Sequence, residues 1–347
     1  MRTVLIVLAL MVSLAVNGQG EYFNTPEFWQ KLKLEKSSAV PPADPDTAII
    51  VVSNRATQTD KLRFMSEVRD GMQVRYFYVY AQNEVWHVLP VTNLETAIQY
   101  MPNKNRNWVV YTEGMGKIFT TDLYRAMSLA GQYNVNVILM DYPSITTTKS
   151  RLGNYYFALE NARKAYEDFV PVFAKIKRLR AERKLGTGKL SLFFHSMGNN
   201  VVTETVKNGE LNKLNDLVWV DNLILNAPCV NQTGHVDLLN KVSFAKQIYI
   251  HYNPEDKVLK GAHFLSGHRQ LGEKVDIPVV MKAKYINFNI LTGEGHSNFL
   301  SLIGRDPATQ SAIRHYNTLL QGDTVDLNDY NRYKPTAYKS IGWDILP

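Results

Sequence analysis

A chain of 347 residues with 45% apolar and 20% charged residues can bury one large core, and a single α/β domain can run to this length. Its formal net charge of +7, about +6 without Arg2, is too mild to single out nucleic acid as a partner. One cysteine, Cys229, excludes an intrachain disulfide, so stability must come from burial; in "LILNAPCV" it reads as a buried, inert thiol.

The first residues, "MRTVLIVLALMVSLAVNGQG", place one charge at Arg2 before an apolar run from Val4 to Val16. With Val16 and Gly18 at the small-residue positions, residues 1–18 read as a secretory signal peptide cleaved before Gln19. The run is short for a membrane span, no basic flank follows, and no cysteine waits there for a lipid. The expectation is a secreted or periplasmic protein with no stable membrane span after cleavage. Residues 19–46, ending in "VPPADPD", read as a surface extension, since the prolines stop a helix or a central strand.

The main domain is expected over 47–320. Strands are predicted at Thr47 to Asn54, Val74 to Tyr80 and Glu84 to Leu89. Next come the continuous apolar runs Asn107 to Thr112 and Val135 to Pro143, of the kind covered on both faces. Between these two, a helix through "TTDLYRAMSLAGQY" puts Asp122, Arg125 and Gln132 on its polar side. A long helix containing Pro171 then ends in "KIKRLRAERK", where cations complement the helix dipole, so this run reads as a solvated helix end. Strands Lys189 to Phe194, Val220 to Ala227, Ala245 to Tyr252 and Ala283 to Ile290 follow, with helices between them and a last helix in "PATQSAIRHYNTLL". Alternating strands and helices imply a mostly parallel central sheet with helices on both faces. The tail, 321–347, reads as an irregular coat.

The stretch "KLSLFFHSMGNNVV" stops an apolar run abruptly at Ser196 and resumes as a helix. A serine hydroxyl needs a base to take its proton and a carboxylate to steady that base. Asp256 stands just past the strand "IYIHY", and His296 lies in a Gly-flanked loop after the next strand. Ser, Asp, His in that chain order, each after its own strand, is the α/β-hydrolase arrangement. Asp256 also suits the cap of the helix after it, and Glu255 is its nearest rival as the acid. The oxyanion donors are expected at the amides of Met115, in the Gly-rich "TEGMG", and Met197, with Gly114 and Gly116 permitting close approach. His195 reads as packing or hydrogen-bonding locally rather than as the base, since a residue adjacent to the serine on the turn points its side chain elsewhere. His263 and His268 lack zinc spacing and "EGMGK" lacks a phosphate-loop match, so no metal, cofactor or nucleotide is expected.

Several blocks together resemble the α/β hydrolases of unknown function grouped as domain-of-unknown-function 900. "WVVYTEGMGKIFTTDLYRA" is similar to that family's oxyanion strand, "VNVILMDYPS" to its next strand, "FFHSMGNNVV" to its elbow, and "HYNPEDKVLKGAHFLSGHRQLG" and "GEGHSNFL" to its acid and histidine loops. The resemblance spans roughly Thr47 to Leu320 and implies triad roles for Ser196, Asp256 and His296. The chain departs from the family at Glu113, where histidine is usual, at Phe194, where the elbow is usually small, and at Cys229, where aspartate is frequent. The expected activity is hydrolysis of carboxylic ester, thioester or amide bonds in a small-molecule or acyl substrate. The alternative is a non-catalytic binding protein on the same fold.

Overall fold

The computed structural model describes residues 25–58, 63–302, 307–336 and 341–347. The expected leader at 1–18 lies outside the described residues.

In chain order, a helical turn α1 (Pro26–Trp29) and strand β1 (Leu32–Leu34) precede β2 (Thr47–Ser53), the hairpin β3 (Arg55–Thr57) and β4 (Met65–Arg69), β5 (Arg75–Gln82) and β6 (Val85–Val91). Then follow α2 (Leu94–Tyr100), β7 (Trp108–Thr112), α3 (Phe119–Tyr133), β8 (Asn136–Asp141), α4 (Arg151–Ala181), β9 (Leu190–His195) and α5 (Asn199–Lys207). The remainder is β10 (Val220–Asn226), α6 (His235–Asn240), β11 (Ala245–Tyr252), α7 (Lys257–Ser266), β12 (Ala283–Asn287), α8 (Asn289–Thr292), α9 (Gln310–Leu320), β13 (Tyr333–Pro335) and β14 (Trp343–Ile345).

Twelve strands form one sheet in the order β1-β6-β5-β2-β8-β7-β9-β10-β11-β12-β14-β13. From β2 through β8, β7, β9, β10, β11 and β12 every neighbouring pair is parallel, so their C-terminal ends share one edge. The runs read as covered on both faces are so: every residue of β7, β8, β9 and β10 is buried. One apolar core, with Phe169, Phe173 and Ile176 of α4, fills one face. The other, with Leu123 and Leu129 of α3 and Tyr316 and Leu319 of α9, fills the opposite face. Helix α4 is capped by Ser150, whose Oγ accepts from Gly153 N at 3.2 Å, and runs unbroken through Pro171. No helix among the described residues is long and apolar enough to cross a membrane.

The structure differs from the sequence expectations at both ends of the chain. Within 19–46, Phe28, Trp29 and Leu32 are buried, and β1 extends the sheet beside β6 with Leu32 opposite Trp86. Trp29 stacks on Phe119 with ring centroids 6.4 Å apart, so the aromatics of this segment anchor it. The tail after 321 supplies β13 and β14, with Tyr333 and Ile345 buried and Ile286 opposite Trp343. The apolar run at Ala283 to Ile290 ends as a strand at Asn287, because Asn289–Thr292 turn into α8. Asp122 and Arg125, read as the polar side of α3, are 2% and 1% exposed, since this helix turns charged groups toward partners beneath it.

Candidate active site

Strand β9 delivers Ser196 with φ of 52°, a left-handed backbone that costs a non-glycine residue about 1–2 kcal/mol. Three bonds hold it there. Asn199 Nδ2 donates to Phe194 O at 3.1 Å and to Ser196 O at 2.9 Å, and Cys229 N donates to Ser196 O at 3.1 Å. Gly198 follows because a β-carbon there would come within 2.5 Å of Glu113 O. The sharp turn thus rests on contacts from β7 and β10 as well as on its own residues.

Ser196 Oγ lies 2.9 Å from His296 Nε2, and His296 Nδ1 lies 2.6 Å from Asp256 Oδ2. The three side chains singled out by chain order form one hydrogen-bonded series, and Asp256 is fully buried. Its two oxygens divide the work expected of a cap and of an acid. Oδ1 accepts from Val258 N at 2.9 Å and Leu259 N at 3.0 Å at the start of α7, while Oδ2 faces the imidazole. Glu255 turns outward to Lys260 at 2.6 Å. The histidine loop is clamped by Asn253, whose Nδ2 donates to Gly293 O at 2.8 Å and Gly295 O at 3.0 Å. Nothing in "YNPED" marks Asn253 for this role beyond its position at the same strand end.

The loop after β7 passes directly over Ser196. Its Met115 amide has no protein acceptor among the described residues, and the Met197 amide sits in the first turn of a 3₁₀ segment, where no intrahelical acceptor exists. Gly114 N, by contrast, is spent on Glu113 Oε2 at 2.9 Å. Ser144 pins the loop's far side: Gly116 N donates to its carbonyl at 3.0 Å and Lys117 N to its Oγ at 2.9 Å. Lys117 Nζ donates to Met115 O at 3.0 Å, which orients the following peptide.

Glu113 is buried beneath this loop. Arg125 Nε donates to its Oε1 at 2.6 Å, Tyr111 Oη donates to the same oxygen, and Tyr142 Oη donates to its carbonyl at 3.1 Å. Burial works to raise its carboxyl, but the Arg125 and Lys117 cations hold it well below the usual range. Glu113 is therefore a charged foundation for the loop. Arg55 adds a second: its Nη2 donates to Lys117 O at 3.1 Å and Tyr142 O at 2.8 Å, and its Nε to Asp141 at 2.9 Å. Asp122 faces Arg55 at 3.7 Å, and burial followed by the Asp141 charge pushes its carboxyl well above the usual range.

The side chains of the other two departures lie away from Ser196 Oγ and His296. Phe194 points into the core, edge-on to Phe173 at 6.1 Å. Cys229 is buried, its thiol pushed up to about 12 by burial and the Asp256 charge, and it contributes wall rather than charge. With Met115, Tyr155, Met197, Ala227 and Leu259 it forms an apolar cluster around the elbow. Tyr155, Leu159 and Cys229 also border a cavity of about 230 Å³ whose remaining walls are largely polar, with Arg163, Lys207 and His268 among them.

A search of curated proteins finds no match. Among solved structures, the chain is similar to MGS-M1, described as an alpha/beta hydrolase enzyme from a Medee basin deep-sea metagenome library. The identity is 12%, over 70% of this chain and 81% of that one, with a TM-score of 0.30. The family described as alpha/beta hydrolase of unknown function (DUF900) matches residues 91–285, more than half of the chain, and the protein belongs to that family.

Proposed function

We propose that the protein is a serine hydrolase that cleaves carboxylic ester bonds, with thioesters and amides as chemically related substrates, through Ser196, His296 and Asp256. The observation that carries this reading is the 2.9 Å contact of Ser196 Oγ with His296 Nε2 on a strained elbow, backed by the buried Asp256 carboxylate. His296 Nε2 takes the Ser196 proton as Oγ attacks the substrate carbonyl, and Asp256 steadies the imidazolium that results. Negative charge on the carbonyl oxygen is met by the amides of Met115 and Met197. His296 then protonates the leaving alcohol, and the acyl group remains on Ser196. A water deprotonated by His296 attacks this acyl ester, and collapse returns the proton to Ser196 and releases the acid.

The apolar cluster of Met115, Tyr155, Met197, Cys229 and Leu259 favours an uncharged acyl portion beside the reacting carbonyl. This scheme asks for no cofactor. The leader-like residues 1–18 are what supports placing the reaction outside the cytoplasm. A fluorophosphonate probe tests the reading directly. The wild-type protein should be labelled and Ser196→Ala should not; a folded wild type that resists labelling, or a variant that still cleaves esters, overturns it.

A further inference from the structure

Behind His296 a second run of polar side chains crosses the sheet. Ser297 Oγ meets His195 Nε2 at 2.8 Å, and His195 Nδ1 meets Asn226 Nδ2 at 2.9 Å. Asn226 Oδ1 meets His251 Nδ1 at 2.9 Å, His251 Nε2 meets His315 Nε2 at 3.1 Å, and His315 Nδ1 meets Tyr333 Oη at 2.8 Å. The members come from the histidine loop, β9, β10, β11, α9 and β13. All but Ser297 are buried, among Phe288, Phe299 and Tyr316.

Asn226 sets the direction of every bond. Its amide nitrogen only donates, so His195 Nδ1 accepts and His195 must carry its proton on Nε2, facing Ser297. Its oxygen only accepts, from His251 Nδ1–H and from Tyr316 Oη at 2.6 Å. His251 Nε2 therefore accepts from His315 Nε2–H, and His315 Nδ1 accepts from Tyr333. Each ring is neutral and confined to one tautomer; a proton added to His195 or to His251 would set donor against donor. Burial, the first cause in each case, holds all three below the ordinary histidine value, His315 at about 3. The charged groups facing His195 are Glu113, Arg125, Lys117 and His296; His251 faces His315, and His315 faces Arg332.

The run reaches the reacting atoms at one point. The His195 ring lies 4.8 Å from the His296 ring, and Ser297, its acceptor, is the next residue in the chain. During the reaction His296 becomes an imidazolium, which a second cation at that separation would oppose. We propose that His195 and Asn226 are positioning residues for His296, and that His251, His315 and Tyr333 extend this control to the tail strand β13. The inference rests on reading His296 as the base, and it makes docking of the tail part of assembling the site.

Long-range proton–nitrogen spectra of histidine-labelled protein, assigned by single substitutions, read the tautomers without any substrate. At pH 7 they should show His195 and His315 protonated at Nε2 and His251 at Nδ1; averaged or charged rings overturn the proposal. Kinetics supply the second arm. His251→Leu removes the donor to Asn226, and should slow fluorophosphonate labelling and kcat about tenfold with KM little changed. His251→Asn offers an amide donor near the same place and should recover most of that loss, which repair of the fold alone would not sort between kcat and KM. Thermal unfolding of both variants checks that they fold. An unlabelled wild type sinks the hydrolase reading and this proposal together; a labelled wild type with a folded, unslowed His251→Leu sinks the positioning row alone.

Discussion

Gly114 and Ser196 touch across the mouth of the site: a β-carbon on Gly114 would stand 2.6 Å from the Ser196 β-carbon and 3.1 Å from its hydroxyl oxygen. Contacts that short force either the loop or the serine to move, and both are held by buried bonds. Gly114→Ala should cost about 1–3 kcal/mol of stability by overpacking. Displacing the Met115 amide should lower kcat/KM on a short-chain ester about 100-fold or more. A variant within a few-fold of wild type would show that the loop contributes no donor.

The two oxygens of Asp256 can be separated by substitution. Asn keeps an oxygen for the Val258 and Leu259 amides, whereas Ala loses it and should cost about 1 kcal/mol of helix capping. Both changes remove the carboxylate from His296, and turnover should fall on the order of 10⁴-fold. Melting temperatures should therefore rank wild type and Asp256→Asn together above Asp256→Ala, while activity groups the two variants together. Equal melting of Asn and Ala variants would remove the capping role.

Acid should destabilise the protein in a window set by its buried histidines. His195, His251 and His315 are held neutral in the folded chain, with pKa values below the ordinary 6.5. Below pH 6.5 the unfolded chain binds the protons that the folded chain refuses, so stability falls as pH drops. The loss continues until the folded values are reached, about 3 for His315. Each histidine contributes up to about 1.4 kcal/mol per pH unit. Urea midpoints at pH 7, 6 and 5 should decline steadily, and His251→Leu should flatten the decline by about one proton. A midpoint constant across that range would contradict neutral burial.

Ser196, Asp256 and His296 were visible in the sequence because each follows its own strand, and strand order in a parallel sheet is legible from alternating apolar runs and helices. Their mutual distances were not, since those depend on loops such as "TGEGH" that carry no periodicity. Glu113 was visible only as a departure from a family pattern. Its meaning required Arg125, whose charge at a helix position with ordinary amphipathic spacing reads as solvent-facing until the fold buries it. Asn226 ends a strand that already carries Asp221 and Asn222, so a further polar residue there gives no sign of the two histidines that converge on it from β9 and β11. The strands β1, β13 and β14, of three residues each, are too short for alternation to register, and the aromatics around them were the one available signal.

The ion pairs beneath the loop after β7 have a thermal consequence. Hydration of charged groups carries a strongly negative entropy, so the penalty for keeping Glu113, Arg125, Arg55 and Asp141 out of water shrinks as temperature rises. Apolar burial gains nothing comparable over the same range. On warming, the foundation of the loop therefore holds its strength better than the apolar layers on the two faces of the sheet, and heat should loosen those layers before it loosens the floor beneath Ser196.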